Sequence, residues 1–512
     1  MVPDNISPRN ERDPYIKSKK MKRYILSALA VLSMISGTYA QNVDDALRYS
    51  QVFYNGSART MAMGNAFTSL GADLSAISLN PAGTGMFRSM EFTITPQLNY
   101  FKSSAAWNGY KATDSKYVFN MPQIGIVAPL ISNESGSGLR SLNIAYSYNV
   151  LASYNNNTTI TGVSNNSSMA DMWARISDGI HYTNLSGGAG IAYDAWVMDT
   201  IAGSGGSSYG TIFSHYGDSL YSTYGQTINR IITDEGYKAE HAFSIGANFG
   251  DKLYVGATFG LGVIHYTGHY THSESDNNNV IYDFKNFAYT DHLQADGKGF
   301  ALKIGAVFRP IDALRIGFAF HAPVAYRMHE YYFDNIASSF DNLDKYTSSN
   351  DPMRYDYTLS TPMRIEAGAS LQLAKFMILS ADYEYVNYTT AKFSRASDAY
   401  DYQNENQSIN TILGSSNNLR FGAEIRLSSL YLRGGYGLYG SAFAKGEANE
   451  KSNYNALSCG VGFRQNNLYL DLGVSRLTNK MEYYMYDDPG YLAPSAIETA
   501  RNTIAVTIGM KF

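Results

Sequence analysis

Hydrophobic and polar residues alternate one by one along most of this chain, from residue 89 to the C-terminus. In the first such segment Phe92 and Ile94 fall on one face, and Thr93 and Thr95 fall on the other. The period of two predicts β-strands with one apolar face and one polar face. Its repetition at regular intervals, with turn residues between the segments, is typical of an all-β protein.

The alternating segments predict a strand each, and the connections between them differ in length. The predicted strands cover residues 89–102, 116–131, 139–155, 237–249, 252–273, 294–309, 313–333, 354–373, 376–395, 416–428, 429–443, 452–465, 467–486 and 498–512. Connections after even-numbered strands are short, whereas those after odd-numbered strands are long and polar. The longest covers about residues 156–237, with helices expected near residues 168–176 and 192–201.

Short turns that alternate with long loops are typical of a transmembrane β-barrel. A soluble sandwich is the alternative, in which the apolar faces would form a shared core. Lumen-facing positions carry the charges, whereas the centres of the apolar faces carry almost none. We therefore predict an all-β fold: a transmembrane antiparallel β-barrel of about 14 strands over residues 89–512.

Residues 41–88 lack the alternation and show helical spacing instead, over residues 43–53 and 58–70. The segment is too short to form an independent domain and too apolar to lie exposed. A barrel of about 14 strands would otherwise enclose an open lumen. We therefore predict a short, mostly helical N-terminal hatch, residues 41–88, inside the lumen.

The first 40 residues have the features of an export signal. A basic cluster ending at Arg23 precedes an apolar run over residues 24–35, and small residues lead up to Ala40. We expect residues 1–40 to be an N-terminal extension plus a signal peptide cleaved after Ala40, and Met21 is an alternative start. This places the mature chain in the outer membrane of a Gram-negative type cell, as a multi-pass β-barrel.

Composition narrows the possible partners. Charged residues make up 16% of the chain and the formal net charge is −4, without the basic stripe of a nucleic-acid-binding protein. We expect no nucleic-acid partner and a monomer in contact with outer-membrane lipid and lipopolysaccharide. The last strand ends on Phe512, which resembles the terminal strand recognised by barrel-assembly machinery.

No motif for catalysis or cofactor binding is found. The chain has one cysteine and neither a nucleophile elbow nor a phosphate loop. His265 and His269 share a strand face but lie roughly 13 Å apart in an extended strand, too far for one metal ion. Asp382 and Glu384 share the lumen face, where nearby arginines favour structural ion pairs over acid–base chemistry. We expect no enzymatic activity, no catalytic residues, no cofactor and no metal site.

Several short motifs resemble the FadL/TodX family of outer-membrane transporters for long-chain fatty acids and other hydrophobic compounds. They are Gly64-Asn65-Ala66-Phe67-Thr68, Ala72-Asp73, Ser75-Ala76, Asn80-Pro81-Ala82-Gly83, Gly299-Phe300, Lys303-Ile304-Gly305, Arg309-Pro310, Arg315-Ile316-Gly317, His321-Ala322-Pro323, Thr361-Pro362-Met363-Arg364 and Ala381-Asp382-Tyr383. The motifs from Gly64 to Gly83 resemble the hatch signature, and this match is fairly specific. Each of the later motifs is weak evidence when taken alone. The resemblance covers nearly the whole mature chain.

The resemblance implies uptake of hydrophobic compounds such as long-chain fatty acids through a plugged barrel. Ligand would be captured by extracellular loops and would leave sideways where the third strand kinks inward. It also implies that Asn80, Pro81, Ala82 and Gly83 form a gating element of the hatch that moves when ligand arrives. From the residues alone, Pro81 makes a rigid turn that leads into the first strand.

Two questions remain open at this stage. Asn149, Val150 and Leu151 break the alternation of the third strand, which indicates either a bulge that kinks the strand or an ordinary irregularity at its end. A general porin for polar solutes and a surface adhesion or structural barrel remain alternatives to a transporter. A porin predicts an unplugged lumen, and an adhesion barrel predicts that the long loops carry the function.

Overall fold

A computed structural model describes residues 42–133, 138–216, 219–220, 222–374, 376–395 and 400–512. The predicted export signal, residues 1–40, lies outside these residues. The helices are α1 (Val43–Ser50), α2 (Ala58–Ala62), α3 (Met169–Ser177), α4 (Gly187–Asp194) and α5 (Gln403–Ile412), with short 3-10 helices at Ala76–Ser78, Pro81–Met86, Tyr182–Asn184 and Tyr388–Thr390. In the described part of the chain, every helix is too short or too polar to cross a membrane.

Strands account for most of the structure. They are β1 (Glu91–Trp107), β2 (Tyr110–Ser132), β3 (Leu139–Ser153), β4 (Asn156–Val163), β5 (Met198–Thr200), β6 (Tyr209–Thr211), β7 (His215–Tyr216), β8 (Ser219–Leu220), β9 (Thr227–Phe249), β10 (Leu253–Ser275), β11 (Asn286–Ile311), β12 (Leu314–His321), β13 (Ala325–Ser339), β14 (Lys345–Ser349), β15 (Met353–Ser360), β16 (Arg364–Leu373), β17 (Met377–Asn387), β18 (Lys392–Arg395), β19 (Ser415–Leu427), β20 (Leu430–Tyr439), β21 (Tyr454–Gln465), β22 (Leu468–Tyr483) and β23 (Ser495–Lys511).

The large sheet is antiparallel and closed. β1 pairs with β2 along one edge and with β23 along the other, so the first and last strands meet. Four positions around the wall are occupied by interrupted strands, namely β3 with β4, β12 with β13, β14 with β15 and β16, and β17 with β18. With each of these counted as one, the wall has 14 strands, which confirms the predicted fold.

The two faces of the wall differ as the alternation predicts. In β11 the outward-facing Phe300, Leu302 and Ile304 are 67%, 54% and 51% exposed, whereas Lys303 between them is 5% exposed. Rows of exposed large apolar residues are unusual on a soluble protein, and on a barrel they form the band that faces lipid. The inward face carries the polar and charged groups.

The helical N-terminal segment lies inside the barrel, as predicted, and contacts its inner wall. We call described residues 42–88 the hatch. The Ala58 amide donates to Thr507 Oγ1 of β23 at 2.7 Å, and Thr84 Oγ1 lies 2.8 Å from Ser244 Oγ of β9. The hatch is therefore bonded to wall strands that are not neighbours of each other.

The hatch helices are shorter than the sequence pattern indicates. The helical spacing extends to residue 70, but α2 ends at Ala62. Gly64 and Asn65 follow with φ angles of 63° and 58°, a left-handed conformation that ends a helix. The remaining apolar residues of this stretch, including Phe67 and Leu70, are buried without helical structure.

Glycines line the inner wall where the hatch main chain approaches it. A Cβ atom at Gly435 would lie 2.1 Å from the Gly64 nitrogen, and one at Gly256 would lie 2.3 Å from the Pro81 oxygen. Equivalent overlaps of 2.4–2.6 Å with hatch main-chain atoms occur at Gly246, Gly422 and Gly473. The strands that carry these glycines contact the hatch. The hatch backbone fits against them only because these wall positions have no side chains.

This fit predicts different effects for two adjacent glycines of β20. Gly435→Ala places its methyl group against the hatch backbone and should lower the free energy of unfolding by about 1–3 kcal/mol. Gly434→Ala is the matched control, because its Cβ would have no atom within 4 Å. Denaturant unfolding in detergent micelles measures both, and equal stability of the two variants would contradict the close hatch–wall contact.

Candidate functional site

Asn80 connects the hatch to the wall through its side chain. Its Oδ1 accepts a hydrogen bond from the Ala82 amide at 3.0 Å and caps the 3-10 helix that begins at Pro81. Its Nδ2 donates to the Thr68 carbonyl at 2.6 Å and to the Ala306 carbonyl of β11 at 3.3 Å. One side chain thus holds two parts of the hatch and the barrel together.

The predicted gating element, Asn80, Pro81, Ala82 and Gly83, is buried at this point. Pro81 and Ala82 lie against Gly256 of β10. Gly83 packs on Gly71, because a Cβ on Gly83 would lie 3.0 Å from the Gly71 Cα. The structure brings the four residues together at the wall, and their movement with ligand stays a prediction.

The third strand leaves its neighbour at the residues that break the alternation. The ladder between β2 and β3 ends at the pair Gln123 and Asn149. The pairing of β3 with β9 has a register shift between Val150 and Ala152. Of the two interpretations of residues 149–151, this local geometry favours a bulge.

Beyond this point the hatch takes the place of β2 as a partner of β3. The Phe53 amide donates to the Leu151 carbonyl at 2.7 Å, and the Asn55 amide donates to the Val150 carbonyl at 3.2 Å. Asn149 Nδ2 also donates to Ser78 Oγ at 2.9 Å. The kinked strand and the hatch are therefore joined by main-chain hydrogen bonds.

The continuation of this strand, β4, packs inside the wall. It pairs with β9, and Ser103 of β1 donates to the Asn157 carbonyl at 2.5 Å. Gly162 lies under the Trp107 ring, since a Cβ there would be 2.6 Å from it. Among the described residues, the only ladder formed by residues 110–122 of β2 is the one with β1. We call the space between this part of β2 and the strands β3 and β4 the lateral gap.

An apolar cluster fills the lumen around α1. Its members include Val43, Leu47, Tyr49, Ile264, Tyr266, Tyr326, Met328, Tyr357, Leu359, Val386 and Phe393. Next to it is a cavity of about 40 Å³ whose lining includes Val52, Leu151 and Pro362. The cavity thus extends from the apolar cluster to the kinked strand.

Cationic side chains lie at the edge of the same cavity. Lys238 Nζ donates to the Tyr49 carbonyl at 2.7 Å, and Arg364 donates to the Ser50 carbonyl at 2.6 Å. Lys303 forms an ion pair with Glu240 at 2.7 Å. Arg364 is also paired with Glu384, so Lys238 is the cation at this edge that has no ion-pair partner among the described residues. The site therefore combines an apolar interior with one unpaired cation.

Buried ion pairs attach the hatch to the wall farther along the sheet. Arg59 of the hatch pairs with Glu424 of β19 at 3.1 Å, and Glu424 also accepts from Arg433 of β20 at 2.6 Å. The pairs predicted for the lumen arginines are present, including Arg364 and Arg420 with Glu384. Removing one partner from such a pair leaves an uncompensated buried charge.

Arg59 was not identified from the sequence. Its partner is 365 residues away, and a single arginine in a helical segment carries no signal of its own. The glycines opposite the hatch were also missed, because glycine is frequent throughout the chain. Both features depend on which strands lie next to the hatch, and only the folded structure defines this.

The long connection between β4 and β9 forms an apolar cap at the end of the barrel opposite the tight turns. α3 lies close to its predicted position, but the helix predicted near residues 192–201 is wrong. α4 ends at Asp194 because Trp196 adopts a positive φ of 59°, and residues 198–200 form β5 instead. The cap buries Trp173, Phe213 and Phe287 in one cluster.

Histidine and acidic groups form pairs in this structure. His265 Nδ1 lies 2.6 Å from Asp296 Oδ1, and the buried His272 lies 3.1 Å from Glu274. In the described residues, no group of three or more histidine, cysteine, aspartate or glutamate side chains has an arrangement that could hold a metal ion.

Comparison with known proteins shows similarity in structure only. No family model matches the sequence, and no curated protein matches it. The crystal structure of a Pseudomonas aeruginosa FadL homologue is 12% identical, with a TM-score of 0.55 over 90% of this chain and 99% of that chain. The Pseudomonas putida toluene transporter TodX is 11% identical, with a TM-score of 0.51 over 90% of this chain and 100% of that chain. The predicted resemblance is confirmed for the fold.

The cap contains a carboxyl group whose protonation should affect its packing. Asp171 of α3 accepts hydrogen bonds from Thr211 Oγ1 at 2.6 Å and from the Tyr224 hydroxyl at 3.0 Å. Burial raises the pKa of Asp171 from 3.8 to about 6. The folded cap therefore binds this proton more tightly than the unfolded chain, so its stability decreases as pH rises from about 4 to about 6.

We therefore expect the amides of α3 to be better protected from hydrogen exchange at pH 5 than at pH 7, after correction for intrinsic exchange rates. Asp171→Asn should reduce this difference, because the amide does not titrate. Exchange measured by mass spectrometry at both pH values tests this. A pH dependence that is unchanged in the variant would show that another group is responsible.

Proposed function

We propose that this protein takes up hydrophobic compounds, such as long-chain fatty acids, across the outer membrane of a Gram-negative type cell. In this proposal ligand binds at the apolar cap, passes through the lumen beside the hatch, and leaves through the lateral gap. The observation that carries it is the departure of β3 from β2 at Asn149, where the hatch becomes its partner. The fold shared with the FadL homologue and the toluene transporter TodX supports it.

Lateral exit is the step that suits an apolar ligand. An aqueous pore leaves apolar surface in water, which costs about 25 cal/mol per Å². A gap in the wall lets the ligand move from the apolar lumen into lipid without that cost. On β2 next to the gap, Tyr117 and Phe119 are 70% and 69% exposed, so the outer rim is apolar as well.

The cationic edge of the cavity supports a fatty acid over a neutral hydrocarbon. Lys238 donates to the Tyr49 carbonyl of the hatch and has no ion-pair partner among the described residues, whereas the charge of Arg364 is paired with Glu384. A carboxylate head placed there would gain charge-assisted hydrogen bonds. The acyl chain would then extend into the apolar cluster around α1.

The alternatives fit the structure less well. A porin for polar solutes needs an open lumen, whereas the hatch lies inside it and is bonded to the wall at β9, β19 and β23. A surface adhesion barrel does not require main-chain bonds between the hatch and a kinked strand. The proposal requires no catalysis or cofactor. It also includes the expected monomer, an N-terminal extension plus a signal peptide over residues 1–40, and assembly through the strand that ends at Phe512.

The gating part of the proposal is tested by substitution of Asn80. Asn80→Ala leaves carbonyl groups of the hatch and the wall without a donor, at a cost of about 1–3 kcal/mol for each group that stays buried and unpaired. We expect slower uptake of radiolabelled oleate by whole cells, with normal heat-modifiable mobility of the assembled barrel. Pro81→Ala should act in the same direction.

Asn410→Ala is the control for this experiment. Asn410 is exposed on α5, and among the described residues its side chain bonds only to the Asn406 carbonyl of the same helix. Its substitution should leave uptake unchanged. If Asn80→Ala and Pro81→Ala cells take up oleate at the wild-type rate, the gating role of residues 80–83 is wrong.

Lateral exit is tested by closing the gap. Lys116 of β2 forms an ion pair with Glu235 of β9 across it. In a Cys459→Ser background, Lys116→Cys and Glu235→Cys joined by a short reducible cross-linker should stop β2 from moving away from β9. We expect oleate uptake to fall on cross-linking and to recover on reduction.

The matched control places the same cross-link where the wall is already continuous. Lys480 and Glu498 lie directly opposite each other on β22 and β23. Cross-linking Lys480→Cys to Glu498→Cys should not affect uptake. Equal uptake by cells with either cross-link would exclude the lateral gap as the exit.

A further inference from the structure

Four exposed cationic residues lie in one sector of the outer face of the barrel. They are Lys298 of β11, Arg327 of β13, Arg354 of β15 and Lys392 of β18. These strands are neighbours in the wall. None of the four has an ion-pair partner among the residues that the structure describes.

Two of these cations are direct cross-strand neighbours. Lys298 and Arg327 are paired in register, and like charges directly opposite each other destabilise a sheet. The nearest acidic positions on this face are Asp296 and Asp356, and each is already bonded to a histidine. Asp296 lies 2.6 Å from His265, and Asp356 lies 2.7 Å from His329. Among the described residues, no carboxylate lies within ion-pair distance of Lys298 or Arg327.

The cations lie at the upper edge of the apolar band. Phe300 is two residues from Lys298 on the same face, is 67% exposed and packs against Phe259 at a ring-centroid distance of 5.6 Å. The tight turn after β11 lies beyond the band, at the other end of the strand. In the proposed orientation, the cations thus lie where the apolar chains of the outer leaflet end and its headgroups begin.

We propose that this cationic patch, residues 298, 327, 354 and 392, binds phosphate groups on the headgroup of an outer-leaflet glycolipid. Arginine and lysine both bind phosphate, arginine through two parallel hydrogen bonds. A free phosphate ion on this open, hydrated surface gains little, because exposed charges interact weakly in water. A lipid phosphate is held at the patch by its acyl chains, which lie along Phe300 and the apolar residues below it.

This inference rests on the proposed outer-membrane location but not on transport. The test measures binding of diphosphorylated lipid A to purified, delipidated barrel in detergent by native mass spectrometry. Lys298→Gln with Arg327→Gln should weaken binding about tenfold, since two charge-assisted contacts are lost. Lipid A without phosphates should bind wild type as weakly as the phosphorylated lipid binds the double variant.

Lys480→Gln is the matched control. Lys480 is also exposed on the outer face, but it is paired with Glu498 at 3.0 Å, so its loss should leave lipid A binding unchanged. Equal weakening by Lys480→Gln, or equal binding of phosphorylated and dephosphorylated lipid A, would overturn the proposal. Displacement of lipid A by millimolar inorganic phosphate would assign the patch to free anions instead. Oleate uptake by the double variant, measured in parallel, separates a failure of this inference from a failure of the transport proposal.

Discussion

The contact between the hatch main chain and the glycines of the inner wall is the constraint on which the rest of the structure depends. Turns connect the short helices of the hatch, and several of its backbone amides and carbonyls find their partners outside the segment, as Ala58 does at Thr507 and Tyr49 at Lys238. The wall supplies them only because the hatch approaches closely, as at Gly435 and Gly256. Side chains beside these glycines then reach the hatch: Asp382 accepts from the Thr68 amide at 2.8 Å, and Lys303 donates to the Ser78 carbonyl at 3.1 Å.

This close contact also explains the charges buried in the lumen. An ion pair such as Arg433 with Asp471 costs desolvation energy that its attraction does not fully offset. The ion pair instead fixes the position of Arg433. Arg433 in turn holds Glu424 at the place where Arg59 of the hatch pairs with it. The same groups would be a poor choice for stability alone. They are consistent with a hatch that must be held in one place by bonds that water or ligand is able to replace.

The sequence predicted the wall well and the hatch contacts poorly, for physical reasons. Successive side chains of a strand point alternately to the lumen and to the lipid, which favour polar and apolar residues respectively. A period of two therefore identifies each strand and the tight turns between the strands. Interruptions such as residues 322–324 and 361–363 leave the pattern almost unchanged, and the predicted strands ran through them. The motif around Asn80 identified the hatch, but its bonds to Ala306 and Phe318 follow from tertiary packing alone.

The kinked strand β3 links the pattern of the wall to the contacts of the hatch. Residues 149–151 were detected as a break in alternation because a bulge shifts side chains between faces. Their consequence was not detectable, since the new partner of the strand is Phe53 and Asn55 of the hatch. A displacement of the hatch must therefore break main-chain bonds to Val150 and Leu151, at the strand that borders the lateral gap. In the proposed mechanism, gating by the hatch and opening of the wall would therefore be a single coupled step.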